Sequence, residues 1–350
     1  MSEKNGQMTA AVLYGCENVR VERVSIPQIA PDEVLVRVEV ALTCGTDLKV
    51  WKRGYHARMI TPPALFGHEL AGTVVATGAN VRSVQEGARV VPANSAPCGE
   101  CFYCKAGQPN LCSDLLFNNG AYAEYMRIPG RIVERNLLEI PAHVSSRDAA
   151  MAEPLACVLR GVEEMRVPEG ATVAVIGCGA IGLKFVRVLS RRGVRVIALG
   201  KRASQTEKAR KLGAAETVDV SETHEPVEAV RRLTDGKRGA DAVVEAVGQP
   251  ATWEWALGMV RRGGSVNLFG GCLKGTEVRM DPSELHYSEI TIRSTFHHTP
   301  RHMREALASI AGGEVNTGDF ITAERPLAEL PRVFEEMKTR NGELKTAVIP

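Results

Sequence analysis

Val34–Val40 reads Val-Leu-Val-Arg-Val-Glu-Val, and this alternation of apolar and charged positions predicts a half-buried strand. The first half of the chain keeps that texture. Ala11–Leu13 and Val19–Val24 predict a hairpin around Gly15–Asn18, and Ala71–Ala76 and Arg89–Val91 predict further strands. Gly78–Asn80 and Glu86–Gly87 supply turns. After Glu153 the pattern changes. Val173–Ile176 is a continuous apolar run, as a strand buried on both faces requires. Ile181–Ser190 is apolar at helical spacing, Val194–Leu199 is the next strand, and Thr206–Leu212 is helical. Ala242–Val247 and Ser265–Phe269 add two strands. Strands alternating with helices predict an α/β doubly wound parallel sheet. The rhythm ends near Thr295, after which Arg301–Ala311 and Leu327–Lys338 predict helices and Thr346–Ile349 a last strand. There is no internal repeat or low-complexity segment. The expected division is a β-rich domain over 1–155 with a cysteine-bearing lobe at about 95–115, an α/β domain over 156–294, and a return of 295–350 to the first domain.

Composition narrows the class. The 350 residues are 44% hydrophobic and 24% charged, which suits a globular chain of two domains. The formal net charge is only +2 and no long basic run occurs, which argues against a nucleic-acid partner. The polar N-terminus has no apolar segment of the signal-peptide kind. The most apolar stretch, Ala171–Leu183, is too short to span a bilayer and is broken by glycines. The expectation is a cytoplasmic protein with no membrane partner. Nine cysteines, an odd number with four clustered, fit a reducing compartment better than a disulfide framework.

The clustered four, Cys98, Cys101, Cys104 and Cys112, form C-x2-C-x2-C-x7-C. Four thiolates at this spacing can close a tetrahedral shell around one zinc and leave no position open, which marks a structural site. A redox role for the C-x2-C pairs is the alternative. A reactive zinc would need other ligands.

Gly177-Cys178-Gly179-Ala180-Ile181-Gly182 is a G-x-G-x-x-G between a predicted strand and a predicted helix. The first glycine permits the turn and the second lets the backbone approach a pyrophosphate at the helix N-terminus. The third lets helix and strand pack closely. At the end of the second strand an NAD site would carry a carboxylate. The chain has Gly200-Lys201-Arg202, in which Gly200 leaves room and two cations suit a 2′-phosphate. NADP is therefore expected over NAD, with solvated loop charges as the plainer reading of Lys201 and Arg202. Val247, Phe269, Gly270, Thr295 and Phe296 complete the expected cofactor-binding set.

Cys44, His68, Glu69 and Glu153 supply a thiolate, an imidazole and two carboxylates, which together can hold a zinc with a position left for water or substrate. Singly, each has a plainer reading: a small buried thiol, a hydrogen-bonded core histidine, a helix-start carboxylate. Their co-occurrence with the cysteine lobe and the dinucleotide turn favours the ligand reading.

The carrying motifs are C-G-T-D at Cys44–Asp47, G-H-E-L-A-G-T-V-V-A-T-G at Gly67–Gly78, the four-cysteine lobe, E-P-L-A at Glu153–Ala156 and G-C-G-A-I-G at Gly177–Gly182. With them the chain resembles, over essentially its whole length, the zinc-dependent medium-chain dehydrogenase/reductase family. The resemblance implies a GroES-like catalytic domain and a Rossmann domain with the active cleft between them. It also implies a homo-oligomer, tetramer or dimer. Glu153 at the third-ligand position and Glu69 after the histidine resemble the polyol (sorbitol-type) and threonine dehydrogenase branches. By that likeness Cys44, His68 and Glu69 bind the catalytic zinc, and Glu153 binds it directly or through water. Two zinc ions per chain are then expected.

The implied chemistry interconverts a secondary alcohol, polyol- or cyclitol-like, and a ketone, with hydride transfer to or from NADP or NAD. Thr46, two residues past Cys44, is placed to relay the proton; a turn-capping hydroxyl is the alternative. Many relatives carry a histidine three residues after the relay hydroxyl, where this chain has Lys49, so the relay ends in water, runs through His56 or differs altogether. Trp51, Phe117, Asn118, Asn119 and His297 are expected in the pocket wall. Lys49, Arg53, His56 and Arg58 make the segment after Thr46 basic, which suits an anionic or hydroxyl-rich substrate or a solvated face. The rival functions are threonine-type amino-alcohol oxidation and an idle zinc and dinucleotide binder. A zinc-ribbon nucleic-acid binder is weaker still, given the near-neutral charge.

Overall fold

The computed structural model describes residues 6–56, 58–339 and 342–350. The chain divides into two compact units, Met1–Ala156 with His298–Pro350, and Cys157–His297.

The first unit is built on a seven-stranded sheet. Its order is Leu137–Glu139, Arg89–Pro92, Glu69–Thr77, Val34–Leu42, Lys345–Ile349 and Ile321–Pro326, with Tyr125–Ile128 also paired to Val34–Leu42. Along Val34–Leu42 the alternating sequence gives alternating burial: Val34, Val36, Val38 and Val40 are inside and Arg37 is out. The chain's last strand returns beside it, with Ala347 opposite Leu42. Gln7–Gly15 and Asn18–Ser25 form the expected hairpin, extended by Ala64–Leu65. The core gathers Phe66, Tyr122 and Phe334. Trp51 joins them rather than lining a pocket: it is buried and stacked on Phe334 at 5.6 Å, because it falls on the inner face of the helix Gly45–Arg53.

The second unit is a six-stranded parallel sheet in the order Glu216–Asp219, Arg195–Gly200, Thr172–Ile176, Ala240–Glu245, Val260–Leu268, Thr291–Ser294. Helices Ala180–Arg191, Ala203–Lys211, Pro226–Arg232 and Pro250–Met259 connect strands of this sheet. The strand expected at Ser265 begins at Val260, behind an irregular register that Arg261, Arg262 and two glycines disguise in sequence. Strand order reverses between Thr172–Ile176 and Ala240–Glu245, and the Gly177 turn leaves the sheet at that switch point, where such folds bind ligands. No helix among the described residues is long and apolar enough to cross a membrane.

Candidate metal centres and dinucleotide site

Two strands bring the first donor set together. Leu42 pairs with Glu69 at their shared end, so Cys44, two residues beyond one strand, meets His68 and Glu69 at the start of the other. Sulfur, imidazole nitrogen and carboxylate oxygen of Cys44, His68 and Glu69 lie within 4.8 Å of one another. Cys44 caps the following helix, and its sulfur accepts the Thr46 N–H at 3.4 Å. The Thr46 hydroxyl makes no hydrogen bond among the described residues, which leaves it uncommitted to capping.

Three further side chains orient these donors. Asp47 Oδ1 sits 2.8 Å from His68 Nδ1, which leaves Nε2 as the donor toward a cation. The Tyr122 hydroxyl donates to Asp47 Oδ2 at 2.6 Å. Burial opposes a charged His68 ring, but the Asp47 carboxylate, with Cys44, outweighs it and drives the imidazole pKa well above 6.5. Lys345 donates to Glu69 Oε2 at 2.5 Å and to the Thr43 carbonyl at 2.7 Å, so a buried ammonium holds one carboxylate oxygen. The other, Glu69 Oε1, is buried with no hydrogen-bond partner. An orphaned buried oxygen beside a thiolate and an oriented imidazole fits a divalent cation, and the N/S/O donor set suits zinc.

Glu153 stands apart from that trio. It lies in the first turn of the helix Ala152–Met165, and its Oε1 is 3.7 Å from His298 Nε2. It still feels the charges of His68, Glu69, Lys345 and Asp47, and burial pushes its carboxyl up to about 7. His56 is half-buried, and its Nδ1 accepts the N–H groups of Arg58 and Met59, each at 3.2 Å. Burial, then the charge of Arg53, holds its pKa below the usual histidine range.

The four lobe cysteines bring their sulfurs within 4.8 Å of one another. Cys98 to Cys104 and Cys101 to Cys112 are both 3.9 Å. A tetrahedral zinc with Zn–S of about 2.3 Å requires a sulfur–sulfur edge of about 3.8 Å, so the cradle has the right size. Peptide N–H groups support it: Cys98 N–H donates to Cys112 Sγ at 3.2 Å and Cys101 N–H to Cys98 Sγ at 3.4 Å. The N–H groups of Cys104 and Ser113 lower the Cys101 thiol to about 6, a poised thiolate.

In the second unit, the glycine turn has the geometry its motif requires. Gly177 has φ of +100°, and a Cβ on Gly182 would fall 1.7 Å from the Gly177 carbonyl oxygen. A Cβ on Gly179 would meet nothing within 4 Å, so that glycine keeps space that the protein itself does not use. Ala180 and Ile181 begin the helix, whose N-terminus carries no side-chain cap and whose first N–H groups have no partner within the helix. Val247 overlies the turn, its Cγ2 2.6 Å from where a Gly177 Cβ would stand. Gly200 does not leave room as expected; it allows close packing on Gln205, Thr206 and Cys178. Lys201 follows it, and Arg202 stands at the N-cap of Ala203–Lys211 with no side-chain cap. Phe269 packs edge-on against Phe185 at 5.0 Å, and Gly270 lies so close to Gly248 that a Cβ would come within 2.4 Å of its nitrogen. The Thr295 hydroxyl donates to Asn267 Oδ1 at 3.1 Å, and the Phe296 carbonyl accepts from Arg160 at 2.6 Å.

Sequence reasoning missed Asp47, Tyr122, Lys345 and Glu245. Glu245 is fully buried and accepts the Val247 and Gly248 N–H groups and the Thr252 hydroxyl, at 2.8, 2.9 and 2.7 Å, which fixes the loop above Gly177. Its position at the end of the strand Ala240–Glu245 was the available signal.

Residues 30–141 match the alcohol dehydrogenase GroES-like domain and residues 180–312 the zinc-binding dehydrogenase model. The chain is 33% identical over 360 residues to L-threonine 3-dehydrogenase of Bacillus subtilis (strain 168), covering 99% of this chain and 100% of that protein. It is 29% identical over 351 residues to sorbitol dehydrogenase of the same organism, covering 98% and 97%. Among solved structures it resembles alcohol dehydrogenase TADH from Thermus sp. ATN1, with a TM-score of 0.87 and 30% identity over 98% of this chain and 99% of that one. It also resembles a Sinorhizobium meliloti 1021 protein of the zinc-binding dehydrogenase type solved with NADP, with a TM-score of 0.88 and 33% identity over 98% and 99%. The chain belongs to the zinc-dependent medium-chain dehydrogenase family. It is an oxidoreductase with a GroES-like domain and a Rossmann domain.

Proposed function

We propose that this dehydrogenase interconverts a secondary alcohol of the polyol or cyclitol type and its ketone, with NADP preferred to NAD. The observation that carries the reading is the convergence of Cys44, His68 and Glu69 donors within 4.8 Å, with Asp47 behind the imidazole. Zinc there would act as a Lewis acid on the alcohol or carbonyl oxygen while the nicotinamide exchanges hydride with the carbon. Asp47 and Tyr122 hold His68 in the donating tautomer. Lys345 fixes Glu69 by one oxygen and leaves the other available. Glu153 serves as a ligand directly or through water. Thr46, with its hydroxyl uncommitted, takes the proton from the substrate alcohol and passes it outward. The lobe of Cys98, Cys101, Cys104 and Cys112 holds a second, structural zinc.

Lys201 and Arg202, in the absence of a carboxylate at the end of Arg195–Gly200, support NADP. The NADP-bound Sinorhizobium meliloti relative is consistent with it. The sorbitol and arabinitol dehydrogenases among the relatives support the polyol class. The threonine dehydrogenases keep amino alcohols as the second reading. A homo-oligomer, dimer or tetramer, is part of the same proposal. The test is a panel of secondary alcohols, polyols and L-threonine with each cofactor, followed by reduced-nicotinamide absorbance. Polyol turnover with a higher kcat/KM for NADP supports the reading, and turnover of L-threonine alone overturns it.

A further inference from the structure

The helix Gly130–Asn136 brings two cations to the cysteine lobe, both within the first unit. Its end is fixed to the chain entering the lobe. The Asn136 side chain donates to the Ser95 carbonyl at 2.7 Å, and the Asn136 carbonyl accepts the Ala93 N–H at 2.9 Å. Arg131 and Arg135, four residues apart, share one face of the helix. Arg131 takes the lobe's outgoing end. Its two terminal nitrogens donate to the Asp114 carbonyl and to Asp114 Oδ2, each at 2.7 Å, two residues after Cys112. Arg135 takes the incoming end. Its guanidinium carbon lies 2.8 Å from where a Cβ on Gly99 would stand, so the cation rests on the backbone of the residue after Cys98.

Arg135 has no partner that accounts for its place. Its N–H groups make no hydrogen bond among the described residues, although Nε is buried. Its ion pair is with Glu134, the preceding residue, at 3.7 Å, and that carboxylate is exposed. A pair of this kind contributes little. A buried donor without an acceptor costs free energy, so the position calls for a compensating interaction.

Charge supplies one. Four thiolates around a divalent zinc carry a net charge of −2. Glu100 adds a carboxylate to the same loop, while the Asp114 carboxylate is already taken by Arg131. A guanidinium is always charged and weakly hydrated, which suits it to a partly buried place beside an anionic complex. We propose that Arg135 is the counter-ion of the four-cysteine zinc complex, with Arg131 pinning the lobe's outgoing end, so that this helix sets how firmly the lobe retains its metal. The inference rests on the structural-zinc reading above and adds the residues that govern that ion. Both arginines are positioning residues and neither is a metal ligand.

The test follows zinc release from the Cys44→Ser protein to an excess of a chromogenic chelator, so that the lobe ion alone reports. Arg135→Gln should release zinc about tenfold faster, as loss of an outer partner does at other metal sites. Arg135→Lys keeps the charge and should stay close to the parent. Arg131→Ala removes an exposed pair and should speed release only about twofold. Arg135 is 32% exposed, so the variants should fold, with melting temperatures in excess zinc at the parental value. Release from Arg135→Gln at the parental rate overturns the counter-ion. Release from Arg135→Lys as fast as from Arg135→Gln overturns it too, because packing and not charge would then be at work. In both cases the structural-zinc reading stands. A Cys44→Ser protein that carries no zinc overturns that reading and the inference with it.

Discussion

Asp47 and His68, 21 residues apart, meet in the interior with Oδ1 2.8 Å from Nδ1. The carboxylate fixes which imidazole nitrogen faces the donor set, and Tyr122 fixes the carboxylate. Asp47→Asn should therefore lower zinc affinity at the catalytic site roughly 10- to 100-fold, as loss of an outer partner does elsewhere. Competition with a chelator measures it. Tyr122→Phe removes one hydrogen bond from the same chain and should cost less.

The buried pair of Lys345 and Glu69 predicts a stability effect. Both side chains are almost wholly inside, at 3% and 0% exposure. In zinc-free protein, Lys345→Met leaves Glu69 as an uncompensated buried charge, which costs about 3–5 kcal/mol, and bound zinc should recover part of that loss. Denaturant unfolding should show a lowered midpoint. An unchanged midpoint would mean that Glu69 finds another partner.

Gly179 separates binding from folding. No protein atom lies within 4 Å of its missing Cβ, so Gly179→Ala should fold with an unchanged melting temperature. If a pyrophosphate uses that space, cofactor affinity should fall sharply, read by nicotinamide fluorescence. Gly182→Ala is the contrast. Its Cβ would overlap the Gly177 carbonyl, so both stability and binding should suffer.

Lys201→Ala with Arg202→Ala should raise the KM for NADP about tenfold or more and leave NAD nearly unaffected, because hydrogen bonds to charged groups contribute roughly 1.5–3 kcal/mol each. A parallel change for both cofactors would return these cations to the solvated loop.

Asp241, in the second unit, gives a pH signature that involves none of the metal donors. Burial alone would raise its carboxyl. The Arg261 guanidinium at 2.6 Å and the Thr172 N–H at 2.7 Å, with the charges of Arg261 and Arg238, lower it below 3.8. A carboxyl with a lowered folded-state pKa stabilises the protein above its unfolded value, and that stability is lost as pH falls through the folded value. Asp241→Asn should be less stable than wild type at neutral pH. The difference should shrink on acidification below about pH 4.

Much of this architecture was legible in the sequence because local patterns carry it. Alternation marked Val34–Val40, the apolar run marked Val173–Ile176, and fixed spacings marked the cysteine lobe and the glycine turn. What escaped depends on distant contacts. Lys345 reaches Glu69 across 276 residues and Tyr122 reaches Asp47 across 75, and neither residue type signals its partner. Trp51 looked like a pocket aromatic from its place after Cys44, but helical periodicity turned it to the core. Gly200 looked like vacant space, although its neighbours in the next helix fill it.

In the proposal above, Cys44, His68 and Glu69 hold a zinc distinct from the one in the cysteine lobe. Elemental analysis of purified protein tests it directly, with wild type beside Cys44→Ser and His68→Ala. Two zinc ions per wild-type chain and one in each variant are expected. A wild-type content of one or none, or variants that still carry two, would contradict it.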